Sequence, residues 1–184
     1  MKRMRAWGTC LVLGAMLVLV GDPLALAASK QELDRNGQRA LNDLYANNSA
    51  ARTLGKTAVA VLVFPSIIKA GFMFGGQMGE GVLLRKGKPA GYYNTVAGSY
   101  GLQIGAQTYG YALFFMNNSS LEYLDKSSGW EVGVGPSVVV VDEGMGKSIT
   151  STTVTHDVYA FIFNQKGLMG GLGVQGSKIT KIDK

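Results

Sequence analysis

The sequence predicts an α+β fold: N-terminal helices packed on a strongly curved, mostly antiparallel, glycine-rich β-sheet or partial barrel. Helical periodicity begins near residue 30 and gives way to strand periodicity after Leu54. Short polar turns then separate the apolar runs, as they do in hairpins. The third observation is glycine on alternate strand positions. Within 99–108 the even positions are Tyr100, Leu102, Ile104 and Ala106, and the odd ones Gly101, Gln103, Gly105 and Gln107. Residues 130–135 and 171–176 repeat the device. Side chains alternate between the faces of a strand, so each segment offers one apolar face and one nearly bare face. Glycine weakens a strand interior, and its recurrence implies a close backbone approach or a hard bend.

Taken in order, Ser29-Lys30-Gln31-Glu32 has the form of a capping box, and Leu33, Gly37, Ala40, Leu41 and Leu44 follow at helical spacing. A helix is expected over 30–46. Its leucines should face the sheet, because the opposite face mixes Glu32, Asp34, Arg35, Arg39 and Asp43 and lacks the cationic bias of a membrane-surface helix. A short second helix is expected over 50–54, stopped by Gly55. Valine-rich 56–64 reads as a buried strand. Pro65 is placed to open a helical turn over 66–70, which Gly71 closes. Residues 79–85 and 90–95 pair around the polar turn 86–89. A long strand over 100–115 should bend near Gly110, and a short helix over 119–126 should follow a second capping box starting at Ser119. Pro136 interrupts a strand over 130–141. Strands over 148–154 and 158–163 flank His156-Asp157 as a hairpin, 164–167 turns, and 168–176 is the last strong strand. No linker or charge block divides residues 28–184, which read as one domain.

Residues 1–27 read as a cleaved signal peptide. Lys2, Arg3 and Arg5 precede the apolar run 10–20, and Ala25-Leu26-Ala27 is a small-x-small cleavage signal. The run is short beside the about 20 residues of a membrane span. Its Cys10, the chain's one cysteine, lies too early to be a lipoprotein acceptor. The expected destination is therefore export, to the periplasm or cell envelope. Removing the segment takes three of the 18 basic and one of the 12 acidic residues, which leaves a charge of +4. That balance suits an anionic membrane surface and is too weak to argue for nucleic acid. Loss of Cys10 excludes thiol chemistry and cysteine-ligated metals, and points to packing rather than disulfides as the source of stability.

Few residues suggest catalysis. Gly144-Met145-Gly146-Lys147-Ser148 evokes a phosphate loop, but Val141 stands where that loop needs its first glycine and strand-forming threonines follow. His156 beside Asp157 reads as a solvated hairpin tip. No serine sits on a Gly-x-Ser-x-Gly elbow, and one histidine shows no metal-ligand spacing. No catalytic, cofactor or metal residue is assigned. Two stretches are candidates for lipid contact. Arg85, Lys86 and Lys88 gather cations on a hairpin tip, where ordinary solvation is the plainer account. Residues 64–74, with Ile67, Ile68, Lys69 and Phe72, form the densest apolar stretch. They read first as core, and otherwise as a wedge for a bilayer or an acyl chain.

Several ordered blocks resemble the SYLF domain family: residues 63–72, Gly75-Gly76-Gln77-Met78-Gly79-Glu80-Gly81, 103–107, 130–136 and Lys166-Gly167-Leu168-Met169-Gly170-Gly171. The resemblance runs from about Leu33 to the end of the sequence. It implies binding of anionic phospholipids, phosphoinositides among them, and offers no catalytic motif to transfer. Some eukaryotic members bundle actin, a property an exported bacterial protein has no evident use for. The family's lipid contacts, on basic and amphipathic segments, would fall here on 30–52 and the basic turns. The leading expectation is thus non-enzymatic binding of anionic phospholipid at a membrane surface or in a cavity of the bacterial envelope. The alternative is a structural envelope protein whose glycine-rich faces pack against a protein partner. An outer-membrane barrel is disfavoured by the helical opening and the polar ending.

Overall fold

The computed structural model describes residues 28–126, 130–131, 135–141 and 155–184. Two helices open the chain, α1 (Lys30–Asn47) and α2 (Ser49–Gly55). The strands β1 (Ala60–Arg85) and β2 (Lys88–Phe115) follow, then α3 (Asn118–Lys126), β3 (Trp130–Glu131), β4 (Val138–Val140) and β5 (Val158–Ile182). Among the described residues these five strands form one sheet in the order β1-β2-β5-β3, with β4 beside β5. All pairings are antiparallel except that of β4 with β5. The α+β class and the mostly antiparallel, curved sheet are those read from the sequence.

Side-chain acceptors set the helix starts. Ser29 Oγ accepts from Glu32 N at 3.2 Å, and Asn48 Oδ1 from Ala51 N at 2.9 Å. At α3 the acceptor is Asn117 Oδ1, 2.8 Å from Ser120 N, and not Ser119 as the capping-box pattern suggested. The first strand starts at Ala60 rather than 56, because Thr57 N and Ala58 N still donate to Leu54 O.

Fully extended, the 26 residues of β1 would run about 85 Å. Instead β1 doubles back on itself about Met73, whose φ is +61°. The bend crosses all three long strands. Gly71 pairs with Gly105 and Gln107 with Gly167, and these two glycines of β2 and β5 have φ of +135° and +92°, which only glycine adopts without strain. The two limbs of β1 then meet at its bare positions. A Cβ on Gly79 would lie 2.9 Å from Ile67 Cγ1 and Ser66 O, and one on Gly81 only 2.6 Å from the Phe64 ring. The hydrogen bond from Tyr109 Oη to Gln77 Oε1, 2.7 Å, ties the limbs together inside the fold. The alternate glycines of β1 are where the sheet lies against itself.

Two expected turns prove to be irregularities within strands. Residues 65–70 do not form a helical turn. Pro65 and Ser66 are the extra residues where the β1–β2 register shifts between Phe64 and Ile67, a place that tolerates the missing proline N–H. Likewise 164–167 lies inside β5, where Asn164 (φ +52°) and Gly167 absorb a register shift against 108–110 and let β5 follow the bend. The hairpin expected around 86–89 is present, but its turn is only Lys86-Gly87, since Lys88 and Pro89 already pair with Arg85 and Leu84. Lys86 and Gly87 both have positive φ, +50° and +74°, the form that matches strand twist in a two-residue hairpin. The break at 135–137 between β3 and β4 surrounds Pro136. The expected strand 148–154 and the 144–148 motif lie outside the described residues.

The core has two sides. On the outer face of the sheet Leu33, Leu41 and Leu44 of α1, with Ala50, Ala51 and Leu54, cover Val61, Val63, Val82, Leu84, Phe114 and Phe161. The α1 leucines thus face the sheet as predicted. Gly37 lets α1 descend onto Val82 Cγ1. On the inner face Leu62, Phe64, Ile67, Tyr93, Leu113 and Phe115 pack with Leu121 and Leu124 of α3.

Candidate functional site at the bend of the sheet

The helices cover only part of the outer face. Beyond the register shift at Pro65, the even residues of β1 point outward with Val82 and Leu84, and they leave the shelter of α1 near Ile68. The uncovered area is apolar. Ile68 is 54 % exposed, Phe72 68 %, Phe74 69 % and Met78 60 %, beside Val96 and Ile104 of β2 and Leu168 of β5. Register places them in neighbouring rows: Phe72 opposite Ile104, Met78 opposite Val96, and Ala106 opposite Leu168. Two exposed cations share these rows. Lys166 stands opposite Thr108 in the row of Ile68, and Lys178 opposite Val96 in the row of Met78.

Where this face meets the start of α1 there is a cleft of about 470 Å³. Leu33, Pro65, Ile68, Met78 and Val96 supply its apolar walls, and Asn36, Glu80 and Asn94 its polar margin. A volume of that order holds a small ligand or a length of acyl chain. Cleft and exposed rows share Ile68, Met78 and Val96, so they form one continuous apolar surface.

The residues expected at a lipid site are dispersed. Ile67 is 1 % exposed and belongs to the inner core. Ile68 and Phe72 lie on the open face, so the reading of 64–74 as core holds for its first part only. Lys69 lies between them on the opposite side of the strand, half-buried. Arg85, Lys86 and Lys88 are exposed at the hairpin tip, roughly 40 Å of strand beyond Phe72. Arg85 is close enough to Asp125 to favour its ionised form. Burial opposes that form, yet hydrogen bonds from Tyr93 and from Lys181 at 3.0 Å hold the Asp125 carboxyl below the usual range. Phe74 belongs to the stretch 64–74 read in the alternative as a wedge, whereas sequence reasoning missed Met78, Val96, Leu168, Lys166 and Lys178. The signal was in the alternation itself: the even positions that make 99–108 apolar on one side run on through β1 and β5.

Polar groups elsewhere are committed to structure. Tyr92 Oη donates to Asp34 at 2.8 Å and is pushed up to about 12, first by burial and then by that carboxylate. Asp157 accepts hydrogen bonds from Asn117 and Ser137. Among the described residues no cluster of His, Cys, Asp or Glu could hold a metal ion. No described helix is long and apolar enough to cross a membrane.

Residues 96–184 match the family model Ysc84, described as a Las17-binding protein actin regulator. This C-terminal part of the chain is thus similar to the Ysc84, or SYLF, domain family. No curated protein matches the chain. The Ysc84 match starts within β2 and takes in α3 and β3 to β5. The resembling blocks of β1 lie outside it, although they are hydrogen-bonded into the same sheet. The SYLF domain is a lipid-binding domain, generally without catalytic activity. Val96, Ile104, Leu168, Lys166 and Lys178 all lie in the matched SYLF segment, whereas the β1 part of the apolar face does not.

Proposed function

We propose that this protein binds phospholipid of the bacterial envelope after export, without catalysis, through the uncovered apolar face at the bend. Ile68, Phe72, Phe74, Met78, Ile104 and Leu168 enter the acyl region, and the cleft beside α1 accepts part of a chain. Lys166 and Lys178 meet headgroup phosphate, which gives a preference for anionic lipid. The observation that carries this reading is the concentration of large exposed apolar side chains in adjacent rows of one sheet face, in a chain carrying a lipid-binding family's segment. Soluble proteins seldom leave such a patch uncovered without an interaction to serve. The cations of 85–88 stand apart from it and form a separate, weaker contact.

Co-sedimentation with vesicles tests the proposal. The protein should pellet with anionic vesicles and much less with neutral ones. Phe72→Ser with Phe74→Ser should cut association at least tenfold with little change in melting temperature, because both side chains are exposed. Arg85→Ser, Lys86→Ser and Lys88→Ser together should leave most of it. Undiminished pelleting of the double serine variant would exclude the apolar face. No pelleting of the wild type with either vesicle would favour the alternative, a protein partner on the same face.

A further inference from the structure

We propose that hydrolysis of the Ala27–Ala28 bond builds an ion pair into the fold, in which the new α-ammonium of Ala28 is held by Glu80. Two independent observations meet at this residue. The small-x-small pattern of Ala25-Leu26-Ala27 directs cleavage to the bond before Ala28. Ala28 N lies 3.2 Å from Glu80 Oε2, although 52 residues separate them. The third member is Lys184, whose Nζ is 2.8 Å from the same oxygen and 2.7 Å from Ala28 O. The site is sheltered: the Lys184 side chain is 10 % exposed and that of Glu80 25 %. One carboxylate of β1 thus gathers Ala28 and Lys184.

Cleavage changes the chemistry at Ala28 N, which already lies beside Glu80. An endopeptidase of the signal-peptide-removing class adds water across the bond. The C–N bond breaks, Ala27 leaves with a carboxylate, and the Ala28 nitrogen takes up protons to become an ammonium. A neutral amide donor to the Glu80 carboxylate is thereby replaced by a cationic one, which adds the Coulombic attraction of two opposite charges in a sheltered site to the hydrogen bond. Glu80 is also what makes the charge tolerable. Ala28 directly precedes the N-cap Ser29, so a free ammonium sits at the end of α1 that carries about half a positive charge, with Lys184 beside it. With Glu80 in place the new charge stabilises the fold; without it the same charge faces two positive neighbours.

That reversal of sign is the test, and it does not depend on lipid binding. The described core lies within 28–184, so the protein beginning at Ala28 is compared with one retaining Ala25-Leu26-Ala27, each with and without Glu80→Gln. The mass of the protein exported by its native route should correspond to a start at Ala28. The Ala28 form should melt above the extended form by about 2–4 °C, the shift expected from a gain of this class in a domain this size. In the Glu80→Gln pair the difference should vanish or invert. A native start at another residue overturns the proposal. So does equal melting of the two Glu80 forms, or an advantage of the Ala28 form that survives Glu80→Gln.

Discussion

Asp157 accepts from Asn117 Nδ2 at 2.7 Å, from Ser137 N at 3.1 Å and from Ser137 Oγ at 3.0 Å. Asn117 caps α3 and Ser137 leads into β4, so one carboxylate joins three elements. These bonds, that from Asn117 first, hold its carboxyl below the usual range. A depressed folded-state pKa contributes stability that is present above the unfolded value, about 3.9, and is lost as pH falls through the folded one. Asp157→Ala should therefore cost about 1 kcal/mol at neutral pH. The gap from wild type should narrow in acid, below about pH 4. Parallel urea titrations at pH 7 and pH 3 check this, and a cost unchanged between them would remove Asp157 from the pH response. Met73 is the opposite case. Its positive φ strains a non-glycine residue while its side chain is 48 % exposed. Met73→Gly should raise stability by about 1 kcal/mol and weaken vesicle association. A lower melting temperature would show that the Met73 side chain supports the bend.

At the scale of the element, the contact of α1 with β1 sets two effects against each other. Gly37→Ala improves helix propensity by about 1 kcal/mol. The added methyl, however, collides with Val82 Cγ1. Valine is stiff at χ1 and fully buried, so it cannot swing aside, and overpacking of this kind costs about 1–3 kcal/mol. The clash should win: Gly37→Ala lowers stability, and adding Val82→Ala recovers part of the loss. Denaturation of the single and double variants measures the coupling. Additive effects would mean that α1 simply lifts away from the sheet. The start of α1 was legible because its cap, Ser29, lies three residues from its partner Glu32, whereas the cap of α3 was misplaced at Ser119 in place of Asn117. The misread turns at 65–70 and 164–167 carry turn-forming residues that the structure uses as bulges, since the neighbouring strand supplies pairing that a local pattern does not reveal.

Across the whole molecule the question is which force holds the apolar face to lipid. Lys166 and Lys178 are worth about 1 kcal/mol each near an anionic surface. Full burial of one phenylalanine is worth about 1.5–3 kcal/mol, and several large apolar groups share the face. The apolar contribution should dominate, with charge selecting the lipid. Raising salt from physiological ionic strength to 1 M shortens screening from about 8 Å to about 3 Å. Binding to anionic vesicles should weaken by the amount that Lys166→Ser with Lys178→Ser removes, and the remainder should persist. Complete loss at 1 M salt would assign the attachment to charge instead. A vesicle titration of wild type and the lysine variant in both salts decides between them.

By itself the sequence determined the α+β class, the extent and inward face of α1, a hairpin within 86–89 and a sheet with one bare and one apolar side. All of these rest on contacts between near neighbours or on a strict period of two or 3.6 residues. Only the tertiary structure decided where the sheet folds and which apolar residues remain uncovered. Ile67 and Ile68 are adjacent and chemically alike, yet one is core and the other is surface. Their fates follow from the register shift at Pro65, which sets the face each takes, and from the reach of α1, which ends before the bend. Burial on a sheet belongs to what lies across from a residue, and no local pattern carries that information.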